Sequence, residues 1–287
     1  MTGRKLIIVL GPTAVGKTDY SIEMALRYGS PVISCDSRQI YKEMSIGTAV
    51  PSAAQLTALQ HYFIQTKSVT EDYSAGLYEI EALALIDRLF EEGHETLVMT
   101  GGSMFYIDAI CHGLGHVPTA DLSVRAELQE RLREEGIDSL KAELARLDPA
   151  AYAAMDLSNS QRVLRAVEIC LTTGQPYSSF KEPQEVNRGF EIEKIGLTRP
   201  REALYDRINR RVLNMMDDGL VEEVRGLGQY RDLTALQTVG YKEIFDCLDG
   251  TISQDEAVSL IQRNTRHYAK KQLTWWRRDP SIRWIEL

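Results

Sequence analysis

Leu6-Ile7-Ile8-Val9-Leu10, followed by Gly11-Pro12-Thr13-Ala14-Val15-Gly16-Lys17-Thr18, decides how the rest of the chain is read. A short apolar run closed by a glycine-proline pair predicts a buried strand, and Asp19 to Arg27 continues as a helix. The segment between them fits G-x-x-x-x-G-K-[ST], a phosphate-wrapping loop, in the strand–loop–helix context that such a loop requires. Glycines let the backbone curl its amides round an anion, Lys17 brings a point charge, and Thr18 offers a hydroxyl to Mg2+. The pattern predicts a bound diphosphate or triphosphate and leaves the chemistry open.

Outward from this loop the first 113 residues alternate strand and helix signals. Val32 to Cys35 is a short apolar run ending at Asp36-Ser37-Arg38-Gln39, which opens a predicted helix over 37–44. Tyr78 to Phe90 carries apolar residues at helical spacing, and Thr96 to Met99 reads as a strand ending in Thr100-Gly101-Gly102-Ser103 before a helix from Met104 to Ile110. Strands alternating with helices predict an α/β fold with a parallel sheet, whose ligands sit beyond the carboxyl ends of the strands. The three polar clusters at 11–18, 36–39 and 100–103 all follow strands, so they are expected at one edge.

From about Gly113 the periodicity becomes helical, with Asp138 and Asp148-Pro149 as helix starts, and strand signals return only at Ile192 to Leu197. The expected organisation is a core of residues 1–113 and 188–287 and a helical insertion at 114–187, bounded by Gly113-Leu114-Gly115 and by Lys181 to Gly189. A helix with Leu204, Ile208, Val212 and Met215 on one face and Arg207, Arg210 and Arg211 nearby follows, then more helices to Arg278 and a short strand, Ile282 to Ile285.

Composition narrows the function classes. Cys35, Cys111, Cys170 and Cys247 are scattered, which argues against a zinc site or a disulfide framework and leads us to expect a cytoplasmic protein. No stretch approaches the roughly 20 apolar residues of a membrane span, and monomer is the default expectation. The net charge of −8 divides unevenly: −5 over 1–113, −3 over 114–190 and zero over 191–287. Arg263, Arg266, Lys270, Lys271, Arg277 and Arg278 give +6 over sixteen residues without an acid, either a solvated helix face or a polyanion footprint.

The obvious inference from the loop, an ATP- or GTP-hydrolysing enzyme, meets an obstacle. Such enzymes hold Mg2+ with a second carboxylate at a strand end, yet Leu97 to Met99 ends in Thr100-Gly101. Only Val32 to Cys35 ends in an acid, so Asp36 is a metal ligand, a general base or a helix cap. Thr100 to Ser103 reads as a second anion nest or as a tight turn capping a helix. Arg162 and Arg165 share a helix face, while Val239-Gly240-Tyr241-Lys242, Tyr268, Trp275 and Trp276 mix aromatics with cations, as single-stranded nucleic acid favours.

Six blocks, GPTAVGKT at 11–18, DSRQIY at 36–41, IGTA at 46–49, GGSMFY at 101–106, QRVLRAVEI at 161–169, and VGYKE at 239–243 with QLTWWRR at 272–278, resemble the tRNA dimethylallyltransferase family in order and over nearly the whole chain. The resemblance implies a P-loop NTPase-like parallel sheet flanked by helices, with a helical insertion domain that contacts tRNA. It further implies transfer of a dimethylallyl group from dimethylallyl diphosphate to the exocyclic amine of the adenosine 3′-adjacent to the anticodon, with Mg2+ as cofactor and the tRNA anticodon stem-loop as partner.

Gly11, Pro12, Thr13, Ala14, Val15, Gly16, Lys17 and Thr18 would then hold diphosphate rather than ATP, with Thr18 toward Mg2+ and Arg211 beside them. The catalytic group would be Asp36 as base with Lys17, Ser103 and Arg211. tRNA would meet Asp36, Ser37, Arg38, Gln39, Ser103, Arg125, Gln161, Arg162, Val163, Leu164, Arg165, Gln237, Thr238, Val239, Gly240, Tyr241 and Lys242. The chain departs from the family pattern at Ser103 (commonly Thr), at Thr238 (commonly Cys), over His61 to Gln65, where an acid is lost, and in a somewhat short insertion. The competing readings are an adenylate isopentenyltransferase acting on free AMP, ADP or ATP, a small-molecule kinase, and a non-catalytic RNA-binding module.

Overall fold

The computed structural model describes residues 3–113, 122–180 and 186–287. In chain order its elements are β1 (Lys5–Leu10), α1 (Lys17–Tyr28), β2 (Val32–Ser34), α2 (Ala53–Ala58), β3 (His61–Tyr62), α3 (Ala75–Glu91), β4 (Thr96–Gly101), α4 (Met104–His112), α5 (Leu122–Glu135), α6 (Ile137–Leu147), α7 (Pro149–Ala154), α8 (Ser160–Thr173), β5 (Glu191–Thr198), α9 (Arg201–Asp217), α10 (Leu220–Gly226), α11 (Tyr241–Leu248), α12 (Gln254–Trp276) and β6 (Ile282–Glu286). Backbone contacts divide the chain into two compact units, residues 1–111 with 187–287, and residues 112–186. The bounding residues Leu114-Gly115 and 181–185 lie outside the described residues.

The larger unit is built on a parallel six-stranded sheet in the order β3-β2-β4-β1-β5-β6. The central strands β1, β2 and β4 read as nearly continuous apolar runs because helices cover both faces. Leu6, Ile8, Leu10, Ile33, Leu97 and Met99 pack on Tyr78, Ile86 and Leu89 of α3 and Ile107 and Ile110 of α4. On the other face Ile7, Val9, Val98, Ile195 and Leu197 meet Met24 and Ala25 of α1 and Leu204 and Ile208 of α9. A third cluster joins Ile40, Tyr41 and Met44 to α10, α11 and the first turns of α12. Parallel strands place the ends of β1, β2 and β4 on one edge, so the segments 11–18, 36–39 and 100–103 do meet there.

The predicted helix over 37–44 does not form; the segment is a series of turns. Asp36 Oδ1 accepts the N–H groups of Arg38 and Gln39, and the chain is then drawn into pairing with 66–67, where Lys42 N–H donates to Lys67 O and Lys67 N–H to Ile40 O. A short polar side chain has outcompeted the helix for its own backbone. Two elements went unread in the sequence. β3 is only two residues long, and α2 announces itself only through the capping box Ser52-Ala-Ala-Gln55.

In the smaller unit α5, α6, α7 and α8 enclose Leu128, Leu140, Leu144, Val163, Leu164 and Val167. Asp148 caps α7 by accepting Ala151 N–H at 2.9 Å, with Pro149 in the first turn. Asp138 lies one residue inside α6, which starts at Ile137 after Gly136. Among the described residues, no helix is long and apolar enough to cross a membrane.

Candidate active site at the carboxyl edge of the sheet

The phosphate loop is shaped by what it abuts. A Cβ on Gly11, at φ +148°, would sit 2.7 Å from Leu197 O on β5, so only glycine fits. Ala14 adopts φ +63° and Gly16 φ +114°, left-handed turns that wrap the chain into a nest. Three arginines from the end of β5 and from α9 take up the loop's acceptors. Arg199 Nε donates to Val15 O and Arg207 Nε to Ala14 O, each at 2.8 Å, and Arg211 Nη1 reaches Thr13 Oγ1 at 3.5 Å. The amides of Lys17 and Thr18 open α1 and have no carbonyl within the helix to bond, which suits an anion.

Lys17 Nζ donates to Gly11 O and Pro12 O, both at 2.9 Å. Burial lowers its pKa to about 8, with Asp36 opposing the shift and Arg211 adding to it. Burial likewise pulls the Arg211 guanidinium below its usual range against the pull of Asp36. A site that concentrates half-buried cations round a backbone nest is poised for a polyanion.

Asp36 stands on the neighbouring turn. Its two backbone donors, Arg38 N–H at 2.9 Å and Gln39 N–H at 3.2 Å, both use Oδ1. A Cβ built on Gly102 would lie 2.7 Å from Gln272 Nε2, 3.9 Å from Asp36 Oδ2 and 3.9 Å from Lys17 Nζ, so the carboxylate, the lysine and that carboxamide cluster round Gly102.

The segment 100–103 is not an open anion nest. Gly101 is a close approach, since a Cβ there would fall 2.3 Å from Cys35 O, and Ser103 N–H donates to that same Cys35 O. Ser103 Oγ, expected in catalysis, accepts Ser37 N–H at 2.7 Å and lies 3.0 Å from Ser37 Oγ, so the hydroxyl anchors the turn that carries Asp36.

Gln272 opens the QLTWWRR block, but its role at the site escaped the sequence. It is 1% exposed on α12, between Ala269 and Trp276 on the helix's buried face. Its Oε1 accepts Thr13 N–H at 2.9 Å and its Nε2 donates to Gly102 O at 2.8 Å, so one carboxamide ties the phosphate loop to the β4 turn. Tyr268 Oη adds a second donor to Gly102 O at 3.2 Å. An uncharged polar residue within the apolar stripe of a basic helix was the available signal. Trp276 is core, whereas Trp275 donates to Asp108 and meets Phe105 edge-on.

The other expected contact residues are divided. Gln237 and Lys242 are exposed, Thr238 and Val239 half-buried, and Gly240 turns at φ +97°. Tyr241 is fully buried with its ring against Gly47, so it is a packing residue and not a platform for a base. In the smaller unit Gln161 and Arg162 are exposed, while Val163 and Leu164 are fully buried in its core and cannot offer side chains to a partner. Arg165 and Arg125 flank the buried Glu168 carboxylate, at 3.0 and 3.9 Å. Among the described residues no group of three or more His, Cys, Asp or Glu could hold a metal by itself.

A phosphate nest with one facing carboxylate narrows the chemistry, and comparison with known proteins narrows it further. Residues 39–279 match the family described as IPP transferase. The tRNA dimethylallyltransferase 1 of Bacteroides fragilis (strain YCH46) is 49% identical, covering 99% of this chain and 94% of that protein. The tRNA dimethylallyltransferase 2 of Porphyromonas gingivalis (strain ATCC 33277) is 51% identical, covering 98% and 93%. The crystal structure of the full-length tRNA isopentenylpyrophosphate transferase from Bacillus halodurans superimposes with a TM-score of 0.71 at 38% identity, over 99% of this chain and 90% of that one. With the family match over most of its length and relatives about half identical nearly end to end, the chain belongs to the IPP transferase family.

Proposed function

We propose that the protein transfers a dimethylallyl group from dimethylallyl diphosphate to the exocyclic amine of the adenosine 3′-adjacent to a tRNA anticodon, releasing diphosphate. The observation that carries this reading is the gathering of Asp36 Oδ2 and Lys17 Nζ round Gly102, a single carboxylate beside a phosphate nest. A new bond forms between the amine nitrogen and the prenyl C1 as the C1–oxygen bond to diphosphate breaks. Diphosphate leaves with the bonding electron pair, and the amine proton passes to Asp36 Oδ2. An adenine amine is a weak nucleophile, so a carboxylate that takes its proton in the transition state lowers the barrier. Lys17, Arg211 and the α1 amides meet the charge that grows on the departing oxygens.

Mg2+ suits the oxygen donors present, the Thr18 hydroxyl together with diphosphate oxygens, because this ion is commonly held by few protein ligands plus substrate phosphates. When bound it supplies further positive charge to the leaving group. The tRNA anticodon stem-loop would meet Ser37 to Gln39, Gln237 and Lys242 in the larger unit and Arg125, Gln161, Arg162 and Arg165 in the smaller one. The target base must leave its stack to reach the sheet edge. Residues 1–111 with 187–287 would hold the chemistry, and 112–186 would clasp RNA. We place the enzyme in the cytoplasm as a monomer.

The test is mass spectrometry of tRNA nucleosides after incubation with dimethylallyl diphosphate and Mg2+, run beside AMP as acceptor. A mass gain of one prenyl group on adenosine in tRNA is expected. Turnover on AMP alone would replace this reading with an adenylate isopentenyltransferase.

A further inference from the structure

Glu223, in α10, lies outside every motif of the sequence, yet its carboxylate gathers four donors. Oε2 accepts the N–H groups of Ser45 at 2.9 Å and Ile46 at 2.7 Å. Oε1 accepts Gly47 N–H at 3.0 Å and the Tyr241 hydroxyl at 2.6 Å. Three consecutive amides turned onto one carboxylate form a nest whose occupant is part of the protein. Bonds to a charged acceptor are the stronger kind, and buried donors that lose theirs are costly.

What the nest holds matters for the site. Gly47 lies so close to Tyr241 that a Cβ would meet the ring at 2.5 to 2.8 Å, so loop and ring interlock. Beyond it, Ala49 sits at φ +50°, a left-handed conformation that a non-glycine residue keeps only when its surroundings enforce it. The carbonyls of Thr48 and Ala49 accept the carboxamide of Gln39, at 3.1 and 2.9 Å. Gln39 N–H in turn donates to Asp36 Oδ1. A continuous chain of bonds thus runs from Tyr241 through Glu223 and the 45–49 loop to Gln39 and Asp36.

We infer that Glu223 is a positioning residue for the acceptor nucleotide. It locks the 45–49 loop, and through that loop it fixes Gln39 beside the base and joins the 36–39 turn to the start of α11. With both amide hydrogens of Gln39 taken by Thr48 and Ala49, the atom it has left is the acceptor Oε1, which suits a purine's exocyclic amine rather than a purine carbonyl. The phosphate loop takes no part in this chain, so the prenyl donor should not sense it. The inference rests on the prenyl-transfer reading above.

Steady-state kinetics of Glu223→Gln with both substrates varied, beside the native protein, test it. The amide keeps the size but turns an NH2 toward backbone donors. We expect kcat/KM for tRNA to fall about 30-fold, by loss of bonds to a charged acceptor, while KM for dimethylallyl diphosphate stays within about twofold. Tyr241→Phe removes one of the four donors and should give a smaller loss of the same selectivity. A merely structural role would lower the melting temperature and the active fraction but leave both KM values of the folded enzyme alone. Unchanged tRNA kinetics, or equal losses for the two substrates, would overturn the inference and leave the prenyl-transfer reading standing. If Glu223→Gln does not fold, Tyr241→Phe decides by the same split. A native protein without transfer to tRNA would take both down.

Discussion

The donor side and the acceptor side of this site are built by opposite means. On the donor side, residues 11–18 form one contiguous loop whose backbone amides would supply most of the recognition, with Arg199 and Arg207 steadying its carbonyls and Arg211 reaching its Thr13 hydroxyl. On the acceptor side, Asp36, Ser103, the 45–49 loop, Glu223 and Tyr241 come from segments up to 205 residues apart, held by side chains that meet only in the fold. Binding an anion needs many equivalent amides and tolerates local solutions. Taking one proton from one amine needs a single carboxylate at a fixed spot, and that demands long-range support.

The sharpest way to break this division is to remove the one group proposed to do acceptor chemistry. Asp36→Asn keeps an oxygen for the Arg38 and Gln39 amides but cannot take a proton. We expect kcat to fall about 10³-fold, within the range for a lost general base. tRNA binding, measured by filter retention, and affinity for the prenyl diphosphate should stay near native. Full activity in Asp36→Asn would remove the carboxylate from the mechanism.

Gln272 sharpens the comparison because it belongs to both sides. Gln272→Leu leaves Thr13 N–H without its acceptor, while Gly102 O keeps the Tyr268 hydroxyl. One buried unmet donor should cost about 2 kcal/mol in denaturant unfolding, with KM for dimethylallyl diphosphate raised roughly tenfold. Gln272→Glu restores an acceptor for Thr13 but sets a negative charge beside the diphosphate. It should therefore unfold later than the leucine variant and yet bind the donor substrate worse. The reverse order would mean that Gln272 acts through packing alone.

How much could be read in advance follows the same line. The strand–loop–helix over 6–27 was legible because its function and its periodicity lie in consecutive residues. Alternating strands and helices then placed 36–39 and 100–103 at the same edge, since a parallel sheet allows no other outcome. Resemblance supplied Arg211 and the RNA-facing blocks. What stayed hidden is what only three-dimensional proximity defines. Asp36 also read as a helix cap, and the helix it would have capped does not exist. Val163, Leu164 and Tyr241 sit within family motifs but are core, because a motif records which positions matter and not which way they face. Glu223 had no motif at all: its partners are amides, and amides leave no trace in composition.

A pH profile separates the two sides without a mutation. The folded-state pKa of Lys17 is lowered from 10.5 to about 8, so the free enzyme loses this proton as pH rises past that value. The lysine must be charged to hold diphosphate, hence kcat/KM for dimethylallyl diphosphate should drop toward tenfold per pH unit above about 8. Bound diphosphate favours the charged amine, so the limb in kcat should lie at higher pH. For stability the sign runs the other way: the unfolded chain holds the proton up to 10.5, so the folded state gains between about 8 and 10.5 as pH rises. A falling kcat/KM over a window where the protein does not unfold would assign the limb to the lysine and not to denaturation.

The smallest effect belongs to the basic face of α12, and it tests whether the acceptor side extends beyond the pocket. Lys270 is exposed, whereas Arg266 lies 2.5 Å from Asn209 Oδ1 and over the Tyr205 ring. A charge that serves only a phosphate contributes through counterion release, so Lys270→Ala should weaken tRNA binding a few-fold and reduce the slope of log K against log salt by about one. Arg266→Ala removes packing as well as charge and should lower the melting temperature too. If Lys270→Ala leaves the salt slope unchanged, α12 serves the site only from within, through Gln272 and Tyr268. The polyanion would then be held by the 36–39 and 237–242 segments and the smaller unit.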